Sequence, residues 1–472
     1  VIHHTKILGG FIMKIILLSG GSGKRLWPLS NEARSKQFLK VLNNEHGERE
    51  SMVQRVWEQI SKAGLRKDAY IATSKPQVEM IHSQLGSEIE VIVEPERRDT
   101  FPAIALAATY LYSVQGVSLN ETVVVMPVDP FVNESFFHKT KELEHVLNES
   151  GADLALMGVK PTYPSEKYGY IVPNNGTQAD EPYVTVQSFR EKPREEEAVA
   201  MIEKAALWNC GVFAFKLDYL INILIENNYP IQYDEMSKKY GRLPKNSFDY
   251  EIVEKCNHIV ALPYEGEWKD LGTWNTLTEE IETSLIGKGI IAGDSHNTHV
   301  INELDIPITL INLSNVVVAA SPDGILVSDK ASSPMIKDVM KHSNQRPMYE
   351  ERRWGRYRVL DYLKYPDGKE VLTKRICVTQ GQNLSYQYHL LRDEVWTVVS
   401  GHGEMVMNDR HFPVTSGDVL VISKDTRHSL RAETEMDIIE VQTGSELIEE
   451  DIVRLAFDWN EIMQLCTIQM NK

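Results

Sequence analysis

The segment GGSGKR, Gly20 to Arg25, follows an apolar run and supplies the groups that hold phosphate. Glycines let a backbone approach an oxyanion without Cβ interference, so the successive N–H groups of Gly20, Gly21, Ser22, Gly23 and Lys24 can point at one anion. The guanidinium of Arg25 adds a fixed fork of donors suited to β- and γ-phosphate oxygens. No GKS or GKT follows an opening glycine at P-loop spacing, and the run is not GxGxxG, so P-loop ATPase and dinucleotide redox chemistry both lose their motif. A short glycine-rich turn alone reads equally well as a plain strand-to-helix turn; the Arg-Leu-Trp-Pro-Leu continuation is far more particular. Asp129 ends the β-branched run TVVVMPVD, and Asp270 sits in WKDLGTW. Carboxylates at strand ends are the hard oxygen ligands that Mg²⁺ takes beside substrate phosphates. Near the other end of the chain, Gln387 and His389 stand two apart and so face the same way on a strand, Glu394 follows, and His428 lies in a second apolar motif. Imidazoles and one carboxylate form a divalent-metal set, with the Gln387 oxygen as a further donor, although a lone histidine is more often a satisfied core or surface residue.

Such groups need a scaffold. The run Ile15 to Leu18 has the length and bulk of a buried parallel strand. Residues 51 to 64, 77 to 85 and 102 to 113 have helical spacing, the last with Pro102 in its first turn, and Ala69 to Ala72, Val91 to Val93 and TVVVMPVD read as strands. This alternation implies a doubly wound α/β sheet with helices on both faces. Ligands of such sheets bind beyond the carboxyl ends of strands, which predicts that Gly20 to Arg25 and Asp129 share a crevice. From about 290 to 330, short apolar segments recur without intervening helix, in the manner of a few coils of a β-solenoid. A polar connector follows, then a β-rich unit to about 445 with turn signals at YPDG, SGHG and TSGD, and a tail from Ser445 that reads as a closing helix with an acidic first turn.

At 472 residues the chain exceeds what a single core supports, so two or three domains are expected. A formal charge of −17 argues against a nucleic-acid polymer or an anionic membrane surface as partner, since either calls for a broad positive field. The four cysteines, Cys210, Cys256, Cys377 and Cys466, are too few and too scattered for a disulfide framework and read as free thiols of a reducing cytosol. No apolar run reaches bilayer length. Met13 reads as the natural start and residues 1–12 as an upstream extension rather than a signal peptide.

GGSGKRLWPLS followed by KQFLKVL closely resembles the signature of bacterial mannose-1-phosphate guanylyltransferases. EPERRDTFPAIALAA, MPVD, KYGYI, FREKP, WNCGVFAF, SFDYEIVEK and WKDLGTW continue the resemblance in order. It implies a cytoplasmic enzyme with a Rossmann-like mixed sheet over 13–285, Mg²⁺ as cofactor, and GTP and mannose 1-phosphate as substrates. By resemblance Arg25 and Lys36 hold the triphosphate, Lys192 meets the sugar phosphate, and Asp129 and Asp270 carry Mg²⁺. Tyr168, Gly169, Glu191, Asn209 and Gly211 are likewise expected in the sugar pocket. The chain departs from the pattern at Lys24, Arg34, Ser35, Asp99, Phe101, Val128, Pro130 and Arg190, beside the base and sugar pockets, and leaves the phosphate and metal residues intact.

The expected organisation continues with a β-solenoid-like segment over 286–335, a linker over 336–350 and a cupin jelly roll over 351–472. This last unit resembles the type II phosphomannose isomerase fused to long guanylyltransferases, which implies a Zn²⁺-like metal on Gln387, His389, Glu394 and His428. Leu391 stands where that family has an imidazole, and the tail lacks its Tyr-Gly-Arg ending, so a structural or dimer-forming cupin is the expected role and an isomerase the alternative. A different sugar 1-phosphate or base, and a catalytically weak sugar-nucleotide sensor, stay open beside the main reading. Edges of the β-rich units would need covering, which points to a homodimer.

Overall fold

The computed structural model describes residues 13–21, 24–174, 182–342, 345–449 and 451–470. Residues 1–12, together with Ser22 and Gly23 of the glycine loop, lie outside them. The chain forms two compact units: one runs to Leu26 and adds Ser35–Val78 and Glu88–Glu282, and the other comprises Trp27–Arg34, Glu79–Ser87 and Thr283–Lys472.

The first unit is built on a nine-stranded sheet whose order is Val91–Glu94, Ala69–Ser74, Met13–Ser19, Thr122–Pro127, Leu207–Lys216, Leu154–Val159, Ile259–Tyr264, Val184–Glu191 and Gly169–Pro173. The first four are parallel. Leu207–Lys216 runs antiparallel to both its neighbours, making the sheet mixed. Ile15–Leu18 and Val123–Met126, the centres of two of these strands, are apolar without a break because both of their faces are covered. One cover is the helix Thr100–Ser113, whose alanines 105, 107 and 108 are fully buried against Ile16, Val123 and Val125. An apolar helix with no polar stripe is what such a doubly covered position demands.

In the second unit Leu285–Ile286, His299–Asn302 and Val316–Ser321 pair in parallel, as do Gly289–Ala292 and Ile308–Ile311. Val300, Leu310 and Val318 fill the space between them, and asparagines 18 residues apart hydrogen-bond one another, Asn297 Nδ2 to Asn315 Oδ1 at 2.9 Å. Arg34, one of the departures noted in the sequence, makes a two-pronged ion pair with Glu303, 2.8 Å on each prong. Beyond these strands a six-stranded and a five-stranded sheet enclose Leu372, Ile376, Trp396, Met405, Leu430 and Ile438, a double-sheet jelly roll.

The tail corrects the expectation of one closing helix. Val453–Ala456 is a strand paired with Tyr386–Tyr388, and the helix begins only at Trp459. The Asp451 carboxylate accepts the N–H groups of Leu390 and Leu391, at 2.9 and 3.0 Å, and so delivers the following residues extended onto an unpaired edge. Pairing at a sheet edge overrides local helical propensity here.

Candidate active site

Lys36 opens a single 3₁₀ turn, Lys36–Phe38, and its Nζ lies 2.8 Å from Asp129 Oδ2 and 2.7 Å from Asp270 Oδ1. The two carboxylates meet because Trp268–Asp270 pairs antiparallel with Pro130–Val132, which sets Asp270 opposite Pro130, the neighbour of Asp129. Both therefore stand beyond the carboxyl end of Thr122–Pro127, the crevice side of the sheet. Burial pushes the Asp270 carboxyl up, but Lys36, Arg25 and Lys167 overcome it and hold it below the usual carboxylate range. Burial pushes the Lys36 ammonium down and the two aspartates more than restore it, so it stays protonated. Arg25 is exposed, and its charge acts on Asp270 and Tyr168.

Gly20 and Gly21 rest on a buried polar network. Gln37 Nε2 donates to Ser19 Oγ, Thr73 Oγ1 donates to the Ser19 carbonyl, and Gln77 Nε2 reaches the Gly21 carbonyl. A Cβ on Gly20 would lie 3.2 Å from Glu94 Oε1, whose carboxylate is otherwise held by the Tyr240 hydroxyl at 2.8 Å. Glu94 lies in the EPERRDT stretch and is buried beside the loop, yet its spacing alone gave no reason to single it out. Lys24 is half-buried in the turn that follows.

A second group of side chains lies where Gly169–Pro173 pairs with Val184–Glu191, Gly169 opposite Glu191. Glu191 is buried and its Oε1 pairs with Lys192 Nζ. Lys192 has φ of +48°, a left-handed backbone that non-glycine residues adopt at a cost, and its N–H donates to the Tyr168 carbonyl at 3.2 Å. Asn209 Oδ1 accepts the N–H of Gly211, whose φ of +73° turns the strand at a bulge, and Asn209 Nδ2 donates to Asp249 Oδ1 at 2.8 Å. The Tyr168 ring packs between Trp208 and Trp268, with centroids 4.8 and 5.5 Å away. Burial and then the Asp270 charge push its phenol up, which ties this group to the carboxylate pair. Asp249 and the two tryptophans lie inside the SFDYEIVEK, WNCGVFAF and WKDLGTW motifs but were not among the expected site residues. Burial, then Glu191, pushes the Asp249 carboxyl up.

In the jelly roll, ligand atoms of His389, Glu394 and His428 all lie within 4.8 Å of one another, and all three residues are buried. His389 Nδ1 faces the Asp451 carbonyl at 2.6 Å and His428 Nδ1 faces the Thr426 carbonyl at 2.9 Å. Carbonyls only accept, so each Nδ1 carries the proton and each Nε2 turns a lone pair toward Glu394, at 3.2 and 3.7 Å. His428 Nε2 is buried with no hydrogen-bond partner among the described residues. Burial lowers both imidazoles, His389 to about 4, which leaves them neutral. Neutral histidines fixed by carbonyls around a carboxylate are a fitting donor set for a divalent metal. Arg392 Nε also donates to Glu394 Oε1 at 2.8 Å, so any such cation shares its carboxylate with a guanidinium. The strand ends at Tyr388, before His389, and Gln387 Oε1 accepts the Ser385 hydroxyl at 2.6 Å, which leaves that oxygen a second lone pair.

Residues 14–285 match the nucleotidyl transferase family model, and 338–457 match the model of the mannose-6-phosphate isomerase C-terminal domain. The chain is 30% identical to the alginate biosynthesis protein AlgA of Pseudomonas fluorescens, over 93% of this chain and 95% of that protein. It is 31% identical to the xanthan biosynthesis protein XanB of Xanthomonas campestris and 29% identical to the mannose-1-phosphate guanylyltransferase of Salmonella muenchen, in each case over 93% of this chain and 97% of the other. Among solved structures, a mannose-1-phosphate geranyltransferase from Thermus thermophilus shares the fold, with a TM-score of 0.59 at 24% identity over 71% of this chain and all of that one. No helix among the described residues is long and apolar enough to cross a membrane.

Proposed function

Because the chain belongs to the nucleotidyl transferase family, we propose that it joins GTP to α-D-mannose 1-phosphate, forming GDP-mannose and releasing pyrophosphate. The observation that carries this is the convergence of Asp129, Asp270 and Lys36 at the crevice edge of the sheet, where a triphosphate and its cation would lie. A phosphate oxygen of the sugar attacks the α-phosphorus of the nucleotide in line, a P–O bond forms as the bond to the β-phosphate breaks, and the electron pair leaves with pyrophosphate. Such a reaction is catalysed mainly by alignment and charge neutralisation.

Asp129 and Asp270 fit a hard cation, two carboxylates already directed at one positive charge, and would hold Mg²⁺. When bound, Mg²⁺ supplies charge neutralisation at the phosphates. Gly20 to Arg25, Ser22 and Gly23 included, and Lys36 bind the triphosphate, and Lys192 orients the sugar phosphate. Glu191 and Asn209 offer an acceptor and a donor to the sugar hydroxyls, Gly169 and Gly211 give room for them, and Tyr168 with Trp208 and Trp268 forms an apolar wall for the pyranose ring. Four free cysteines suit a reducing cytoplasm.

A pyrophosphate-release assay with Mg²⁺, crossing GTP, ATP, UTP and CTP against mannose, glucose and other sugar 1-phosphates, tests the proposal. A dominant signal for GTP with mannose 1-phosphate supports it, and a flat matrix sinks it. The His389, Glu394 and His428 cluster favours a second reading for the jelly roll: a divalent-metal isomerase acting on mannose 6-phosphate.

A further inference from the structure

Lys36 has two tasks to reconcile. A residue that binds triphosphate must aim its ammonium at substrate, yet here both carboxylates expected to hold the cation are engaged by that same ammonium. The two oxygens lie within hydrogen-bond distance of one nitrogen, so the ammonium occupies the ground between them. Mg²⁺ binds oxygen at about 2.0–2.1 Å and would need that same ground. Two like-charged carboxylates brought together without a cation would repel and drift apart, and Lys36 Nζ, 2.8 Å from Asp129 Oδ2 and 2.7 Å from Asp270 Oδ1, supplies that cation.

Resting on the reading of Asp129 and Asp270 as the cation-holding pair, we propose that Lys36 is a stand-in for the metal: it holds the two carboxylates together before nucleotide enters and is exchanged for the divalent cation when it does. The released ammonium is then accepted by the phosphates that arrive with the cation, so one substitution both loads the metal and turns Lys36 toward its substrate. Free Mg²⁺ must displace Lys36 with no phosphate to receive it. The nucleotide-free protein therefore binds divalent cations weakly, and metal and nucleotide enter together. Lys36 acts here as a positioning residue for the carboxylates before it touches substrate.

The test is Mn²⁺ binding followed by electron paramagnetic resonance on the full-length protein without nucleotide. Lys36→Met keeps most of the side chain and removes the charge, and is expected to tighten Mn²⁺ binding by about tenfold or more, since the competing cation is gone. Equal or weaker Mn²⁺ binding by the variant, in a protein that binds Mn²⁺ with GTP present, would overturn the proposal and leave the reading of the carboxylates standing. Loss of Mn²⁺ binding in Asp129→Asn and Asp270→Asn is the companion result. If wild type takes up no Mn²⁺ even with GTP, or if those two variants bind it as wild type does, the reading of the carboxylate pair itself falls. A second measurement uses only the wild-type protein and guards against misfolding of the variant. The rate at which an amine-reactive acetylating reagent labels Lys36 should rise severalfold when Mg²⁺ saturates the nucleotide-free site. A labelling rate unmoved by saturating Mg²⁺ would show that the ammonium and the metal do not exchange.

Discussion

Gly169 and Glu191 face each other across two paired strands so closely that a Cβ at 169 would sit 2.6 Å from Glu191 Oε2 and 2.7 Å from the Phe189 ring. The glycine is what lets a buried carboxylate stand at that point. Gly169→Ala must push Glu191 aside, and because a displacement near 1 Å costs a positioned group much of its effect, KM for the sugar 1-phosphate should rise about tenfold or more. KM for GTP should stay within error. Steady-state kinetics varying each substrate in turn would show this split, and an equal change in both would mean that Glu191 does not serve the sugar.

Asp270→Asn should leave the circular dichroism spectrum intact and lower turnover by about two orders of magnitude or more, since a carboxylate on the metal becomes a neutral amide. Near-normal turnover in saturating Mg²⁺ would remove Asp270 from the cation site.

The Asp249 carboxyl titrates far above its ordinary range, pushed to about 7 by burial and by Glu191. A folded-state pKa above the unfolded one favours folding fully below the unfolded value, and that contribution is lost as pH rises through the folded value. Relative to Asp249→Asn, the wild-type protein should therefore lose stability between about pH 4 and about pH 7, read by urea unfolding across that range. Asn retains an oxygen for Asn209 Nδ2. Any step near neutrality in the pH profile of sugar-phosphate KM should accordingly flatten in the variant, while the profile for GTP is unchanged. Parallel stability curves for the two proteins would contradict the buried-pair account.

What the sequence disclosed follows from how far apart the interacting residues stand. Runs such as KIILL and TVVVM declare buried strands because both their faces are covered, and the placing of Asp129 just past a strand end follows from the sheet rule alone. The meeting of Lys36 with Asp270 spans 234 residues and depends on a three-residue strand pairing, which no local pattern encodes. Asp249 escaped notice because its signal is the carboxylate opposite it, Glu191, and not its own neighbours. The same holds for Val453–Ala456, whose partner strand lies far back in the chain.

Arg34, a departure from the family pattern two residues before Lys36, is explained by its ion pair with Glu303. The guanidinium is buried and its Nε has no hydrogen-bond partner among the described residues, so the Glu303 carboxylate is its main compensation. Glu303 is open to water on one side, so removing it strands the buried guanidinium at a cost of about 1–3 kcal/mol, less than for a fully buried pair. Glu303→Ala should therefore shift the urea midpoint of the unit that contains it, with Arg34→Met less damaging because it removes the stranded charge. The reverse ranking would show that the charge pair contributes little beyond packing.

The jelly-roll cluster offers the sharpest separation between a metal site and a buried ion-pair network. His428 Nε2 is buried without a partner among the described residues, and an orphaned imidazole lone pair beside a carboxylate is stabilised by a divalent cation, whereas the Arg392–Glu394 pair can persist without one. Protein purified with Zn²⁺ or Co²⁺ present should carry about one ion per chain at this site, lost in His428→Ala and in His389→Ala, as elemental analysis would read. Conversion of mannose 6-phosphate to fructose 6-phosphate should disappear with the ion under chelation, while pyrophosphate release, assayed with Mg²⁺ restored, continues. Retention of metal in both histidine variants would move the ion elsewhere, and a metal-free wild type would leave Arg392 as the cation that completes this core.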